Sequence, residues 1–346
     1  MAENEPEQFL LQYKSPVIID EAQYAPKLFR HLKYVIDQSR ELKGQYLLTG
    51  SQKFNLMKEV SDSLAGRCVW LELEGLSIKE IQTGEELNAK DLTQLIKLMT
   101  RGSQPELWKD SLMNESEYYR SYLATYLERD VRQILNISSL RDFERFIRVC
   151  ATYNAQILNK SNIAKAIGVS VNTVNQWLSI LEASNQISLL EPYFKNAGKR
   201  LVKSPKLYFN EVGMISFLLG LNKENIIKSP SLGAMWETFI YSELRKYVKN
   251  ESRNSILWFY RDSQLREIDF LIEKDNKMHF IEAKWTQTPQ PKDVKWLHKI
   301  HSEFEEKNNH LPFILGSKIL LSRQASSFKK GSVNYVNIET LFQNLS

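Results

Sequence analysis

Cysteine is scarce. Only Cys68 and Cys150 occur in 346 residues, each isolated among apolar neighbours. Two such residues make neither a disulfide framework nor a zinc-ligand spacing, so a reducing compartment, the cytoplasm, is expected. Long apolar runs are missing as well: none approaches the roughly 18 consecutive residues that a membrane-spanning helix needs. The opening MAENEPEQF is too acidic and polar for a secretory signal. Nor is there a strong charge of one sign, since 46 basic and 41 acidic residues leave +5 at neutral pH. That balance permits nucleic-acid binding without demanding it, and the placement of the charge matters more. What remains is an ordinary folded composition, 42% hydrophobic and 25% charged, with length for two or three domains.

The first informative stretch is VIIDEAQ, Val17 to Gln23. A continuous apolar run reads as a buried parallel strand, and two carboxylates, Asp20 and Glu21, stand at its carboxyl end, where α/β sheets place ligand chemistry. Asp20 suits the water shell of a Mg²⁺ ion, and Glu21 suits polarisation of the water that attacks a γ-phosphate. An apolar strand that merely reaches solvent would look the same. Leu28, Leu32, Val35 and Ile36 then recur at helical spacing. Lys43-Gly44 closes that helix, and QYLLTGSQ, Gln45 to Gln52, reads as a second buried strand. SLAGR, Ser63 to Arg67, precedes a third strand-like stretch, CVWLELEGLS.

The order DEAQ, AP, TGS, SLAGR, together with YLATYLERDV further on, resembles the prokaryotic AAA-type ATPases that carry a C-terminal domain of unknown function. The resemblance implies a P-loop domain that binds ATP with Mg²⁺. It makes Thr49 and Ser51 sensors of the γ-phosphate and brings Arg67 to the nucleotide or a neighbouring subunit. One departure stands out. The Gly-Lys-Ser/Thr phosphate loop of that family should precede Val17, and no such sequence is there. Gly44 to Ser51 has nearly the right glycines but lacks the lysine and lies on the wrong side. The chain therefore reads as an N-terminally truncated member, a partial P-loop AAA-type domain over residues 1–90 that is not expected to hydrolyse ATP.

Residues 91–225 read as a helical linker followed by a winged helix. Tyr119, Tyr122, Leu123, Tyr126, Leu127, Val131 and Ile134 share one broad helical face. Ile163, Ala164 and Ile167 face a core ahead of Gly168, and Ser170 caps a second helix built on Val171, Val174, Leu178 and Leu181. Leu189 to Phe194 and Lys206 to Phe209 read as wing strands. Between Phe194 and Asn210 there is no acidic residue, while Lys195, Lys199, Arg200, Lys203 and Lys206 are all basic. That run suits DNA phosphates; a solvated hairpin used for protein contact would carry it equally well.

Residues 226–346 hold the fullest constellation. GAMWETFIYSELRKYVKN, Gly233 to Asn250, reads as an amphipathic helix carrying Glu237. REIDFLIEKDNKMHFIEAKW reads as a hairpin turning at Asp275-Asn276, so that cross-strand partners sum to 551. Asp269 then faces Glu282 and Glu267 faces Lys284, with all four on one side of the sheet. Asp269 and Glu282 can hold a divalent ion, and Lys284 can steady or deprotonate an attacking water. This pattern resembles the D…ExK site of restriction-endonuclease-like, PD-(D/E)xK nucleases, in which Glu237 would be the further acid from the preceding helix. A solvated charged sheet face is the plainer reading. The expectation is thus an α/β chain of the AAA type with a nuclease-like domain, acting on DNA or a protein partner and not on a membrane. The alternatives are a Mg²⁺-dependent DNA nuclease and a non-catalytic DNA- or protein-binding module.

Overall fold

The computed structural model describes residues 1–50, 60, 63–85, 87–132, 140–193, 204–250, 254–306 and 312–345. They form two compact units, Met1–Leu73 and Glu74–Ser346, and each is taken by itself.

In the first unit α1 (Pro6–Gln12) precedes β1 (Val17–Ile19), α2 (Pro26–Gln38) and β2 (Tyr46–Leu48). The strands pair in parallel, Ile18 opposite Leu47. Proline at the first position of both helices suits a site whose N–H has no partner in any case. Leu10, Ile19, Leu28, Phe29 and Leu32 form the core. Side chains alternate across a strand, so Val17, Ile19, Tyr46 and Leu48 meet this core while Ile18 and Leu47 stay 69% and 53% exposed. The strands expected to be buried on both faces are buried on one. The third expected strand is not formed. Residues 68–77 are irregular, and Val69, Leu71 and Leu73 are exposed; among the described residues no strand pairs with this stretch, whose Leu76 amide donates to the Ser103 carbonyl at 2.8 Å instead.

The second unit opens with helices α3 (Ile78–Gly84), α4 (Leu92–Arg101), α5 (Pro105–Lys109), α6 (Glu115–Tyr126) and α7 (Leu140–Thr152). Strand β3 (Gln156–Ile157) leads to α8 (Lys160–Ile167) and α9 (Val171–Ala183), joined through Gly168 at φ +84°. Asn159 caps α8 and Ser170 caps α9. Strands β4 (Ile187–Leu190) and β5 (Lys206–Phe209) complete a small antiparallel sheet with β5 in its centre. Helix α10 (Val212–Leu218) precedes the 19-residue α11 (Leu232–Asn250).

The remainder is a six-stranded sheet in the order β10-β11-β9-β8-β7-β6. Strands β6 (Ile256–Arg261), β7 (Glu267–Lys274) and β8 (Lys277–Ala283) form an antiparallel meander. After α12 (Lys295–Glu305), β9 (Ile314–Leu321) returns parallel to β8, and β10 (Phe328–Lys330) and β11 (Val333–Val336) close the edge. Phe270, Ile272, Ile281 and Ile319 pack with Trp236, Ile240 and Leu244 of α11. Leu271, Phe280 and Leu320 pack with Leu297, Ile300 and Phe304 of α12 on the other face. The first of these cores continues without a break from Ile78 to Leu345. Residues expected to form separate middle and last segments thus share one interior.

Candidate functional site

In the first unit Ile19 ends its strand and delivers Asp20 and Glu21 beside Thr49. The Thr49 hydroxyl donates to Asp20 Oδ1, and the amide of Gln23 donates to Glu21 Oε2. Glu21 sits in the left-handed region at φ 52°, which turns the chain at once from strand to helix. Arg67 lies in the same unit, where both its Nε and Nη2 reach the Asp37 carboxylate, at 2.8 and 2.9 Å. That contact holds Asp37 below the usual carboxylate range and leaves Arg67 engaged within its own unit. Ser51 lies outside the described residues.

The larger assembly of charge is in the second unit. The hairpin has the anticipated register, from Lys274 opposite Lys277 to Phe270 opposite Ile281. Asp275 and Asn276 both have positive φ, 49° and 62°, as a two-residue primed turn requires. Beyond Phe270 the regular pairing stops. Between Trp258 and Tyr260 of β6 one residue opposes two of β7, Asp269 and Phe270. A bulge of this kind re-aims a side chain, and the Asp269 carboxylate accepts from the Ala283 amide at 2.9 Å. The expectation that Glu267 faces Lys284 is corrected, since the regular β7–β8 pairing ends before these residues. Glu267 meets Lys206 at 2.5 Å and Arg261 at 3.2 Å instead.

Lys284 binds Glu282 at 2.6 Å and stands 4.0 Å from Asp269. Glu237, one turn into α11, accepts from Lys206 at 2.8 Å and from the Tyr208 hydroxyl at 2.5 Å. Hairpin and helix therefore do bring Glu237, Asp269, Glu282 and Lys284 to one place. The unforeseen members are Lys206 and Tyr208. Lys206 was placed on a solvated wing; it is 2% exposed and reaches three carboxylates. A lysine opening a four-residue strand buried throughout was the available signal, since a buried ammonium needs acidic partners. The other basic wing residues, Lys195, Lys199, Arg200 and Lys203, lie outside the described residues.

Burial sets the electrostatics. It raises the Glu237 carboxyl to about 7, against the pull of Lys206. It raises Glu282 to about 8, reinforced by the Asp269 charge. Burial alone would lower the two lysines, but the surrounding carboxylates outweigh it and hold both above their usual value. In the metal-free site Lys284 is thus held as an ammonium, which can orient a water and stabilise negative charge.

Among the described residues no three His, Cys, Asp or Glu side chains converge closely enough to cage a metal by themselves. Asp269 and Glu282 can still share one ion completed by water, as Mg²⁺ commonly is. Glu282 Oε2 is buried with no hydrogen-bond partner among the described groups. An orphaned buried carboxylate oxygen calls for a proton or a cation, so the donor set fits a hard divalent ion.

Residues 1–82 match the model of an AAA domain family. An AAA-type domain stands at the N-terminus. Two domains of unknown function follow the AAA domain, DUF8612 over residues 92–225 and DUF4143 over residues 232–341. Uncharacterized protein Rv2008c of Mycobacterium tuberculosis is 30% identical over 275 residues, 79% of this chain and 59% of its own length. Uncharacterized protein MJ1544 of Methanocaldococcus jannaschii is 24% identical over 290 residues, 77% of this chain and 62% of its own length. The chain thus spans about three fifths of the curated relatives it matches. Can2 of Sulfobacillus thermosulfidooxidans, solved with cyclic tetra-adenylate, aligns over 93% of this chain and 81% of its own. Its identity is 13% and its TM-score 0.23, a likeness too slight to carry an argument. Among the described residues no helix is long and apolar enough to cross a membrane.

Proposed function

We propose that this AAA-type chain carries a nuclease-like, PD-(D/E)xK domain over residues 226–346, and that the domain acts on DNA with one divalent ion held by Asp269 and Glu282. The observation that carries the reading is the meeting of Asp269, Glu282 and Lys284 at the bulged end of a hairpin, with a carboxylate oxygen left unpartnered there. The order α11, β6, β7, β8, α12, β9 supports it, since it packs the helix that carries Glu237 against the sheet that carries the hairpin. A Mg²⁺ ion bound there would neutralise charge on a phosphodiester. The chain's own residues do the rest. Asp269 and Glu282 supply oxygens, and the Lys284 ammonium positions water and stabilises the charge that develops at phosphorus. On the winged-helix reading, α8, α9, β4 and β5 of the same unit would hold DNA for this site.

Melting curves of the full chain with and without Mn²⁺ or Mg²⁺ test the reading, alongside cleavage of supercoiled DNA. The ion raises the melting temperature; Asp269→Asn and Glu282→Gln remove the rise. Lys284→Ala keeps the rise and loses cleavage. A melting curve that neither ion moves refutes the site. A rise without cleavage of any DNA favours the second reading, a non-catalytic binding module, which the buried Lys206 independently supports by neutralising the carboxylates without metal.

A further inference from the structure

We infer that Lys206 is a resident cation of the carboxylate site and that it excludes a second divalent ion from the half formed by Glu237, Glu267 and Asp269. The inference builds on the metal-site reading above, but it concerns the carboxylates that reading leaves unused.

The site is asymmetric. On one side Glu282 Oε2 has no hydrogen-bond partner among the described groups. On the other, Lys206 Nζ lies 2.8 Å from Glu237, 2.5 Å from Glu267 and 3.8 Å from Asp269. A single ammonium facing three carboxylates stands where a multivalent cation would otherwise be drawn. The lysine is not a surface group that has drifted in. It opens β5, the central strand of its sheet, and is paired with Ile157 on one side and Leu190 on the other. Its backbone is therefore fixed, and its side chain is 2% exposed. Tyr208, two residues on and on the same side of the strand, donates to the same Glu237 oxygen. With two donors on it, that oxygen of Glu237 is occupied by protein.

Charge counting agrees. The carboxylates of Glu237, Glu267, Asp269 and Glu282 face Lys206, Lys284 and Arg261. Counted as fully ionised and among the described residues, four negative against three positive groups leave one formal negative charge, so one divalent ion brings the cluster to plus one while Lys206 stays and to zero without it. The lysine therefore sets the repulsion that a second ion meets. Removing it leaves three carboxylates, 2.5 to 3.8 Å from the place of its Nζ, without their cation.

The test counts bound Mn²⁺ on the full chain at pH 8, from the electron paramagnetic resonance signal of free Mn²⁺. Lys206→Met should bind one more ion than the wild type, and Lys206→Arg no more than the wild type. Glu237→Gln should keep one bound ion, since Glu237 serves the lysine rather than the metal. An unchanged count in Lys206→Met overturns the inference. So does loss of the wild-type ion in Glu237→Gln, which decides the matter even where Lys206→Met fails to fold. No ion on the wild type but one on Lys206→Met would sink the metal-site reading and leave the inference standing.

Discussion

Metal binding at the hairpin should release a proton, and the amount can be worked out from the site. Glu282 is 6% exposed, and burial lifts its carboxyl to about 8. A divalent ion needs the ionised form, so each unit of pH below that value weakens binding about tenfold. Between pH 6 and pH 8 the bound fraction of protons on Glu282 falls from nearly all to half, which strengthens Mn²⁺ binding roughly 50-fold, or about 2.3 kcal/mol. The sign for the metal-free chain is the reverse. The folded state keeps this proton, and that of Glu237, above the ordinary carboxylate range. It therefore holds more protons than the unfolded state from about pH 4.5 upward, and stability is lost as pH rises to about 8. Melting without metal should fall over that window while the Mn²⁺-induced rise grows. At a hundredfold excess over Kd the stabilisation is about 2.7 kcal/mol, or roughly 5–10 °C for a unit of this size. Titration calorimetry in buffers of different ionisation enthalpy counts the protons directly, with close to one released per ion at pH 6.5. A Kd that does not change between pH 6 and pH 8 would refute the protonated-ligand argument, and Glu282 would then not be the metal's oxygen.

Two further outcomes concern the rest of the chain. Arg101 is 2% exposed and donates to the carbonyls of Leu107, Asp110 and Met113 while pairing with Glu115 at 2.9 Å. Arg101→Met leaves those acceptors buried and unpaired and should cost about 3–5 kcal/mol, read as a melting temperature lower by about 10 °C. The chain should show no Mg²⁺-dependent ATP turnover above that of Glu21→Gln, because Asp20 and Glu21 act on a phosphate that another loop must hold; phosphate release that Glu21→Gln abolishes would show otherwise.

The hairpin was legible for a physical reason. Period-two alternation and an Asp-Asn turn together fix a register, and the sum of 551 holds for every pair from Phe270–Ile281 to Lys274–Lys277. Helix boundaries at Ser170 and Gly168 were legible through their caps. The bulge at Asp269 was not, because it is set by pairing with β6, and no local residue pattern announces it. Lys206 was missed for a related reason. Its sequence neighbours Lys199, Arg200 and Lys203 suggest a solvated basic run, whereas its partners lie 31 residues away at Glu237 and further still at Glu267 and Asp269. Residues 68–77 misled in the other direction, since their alternation is real but propensity without a neighbouring strand does not make a sheet.

Long-range charge is also what joins the second unit. Lys206 ties the small sheet to Glu237 of α11 and to β7 of the large sheet. At the far end of the same helix, Arg245 and Lys249 both pair with Glu74. Glu243 accepts from the Ile78 amide at 3.0 Å and pairs with Lys246, which itself donates to the Leu76 carbonyl. One 19-residue helix thus presents acid at its first turns and a mixed charged face at its last, and every named charge is met by another part of the unit. Buried pairs of this kind add little net stability, yet breaking one strands its partner at a cost of about 3–5 kcal/mol. Their effect is to fix arrangement. The D…ExK hairpin does not stand as a free module with its carboxylates to itself. Its electrostatic state is set by a strand from residues 206–209 and by a helix anchored at residues 74–78, so whatever shifts that helix or strand alters the charge that the hairpin presents.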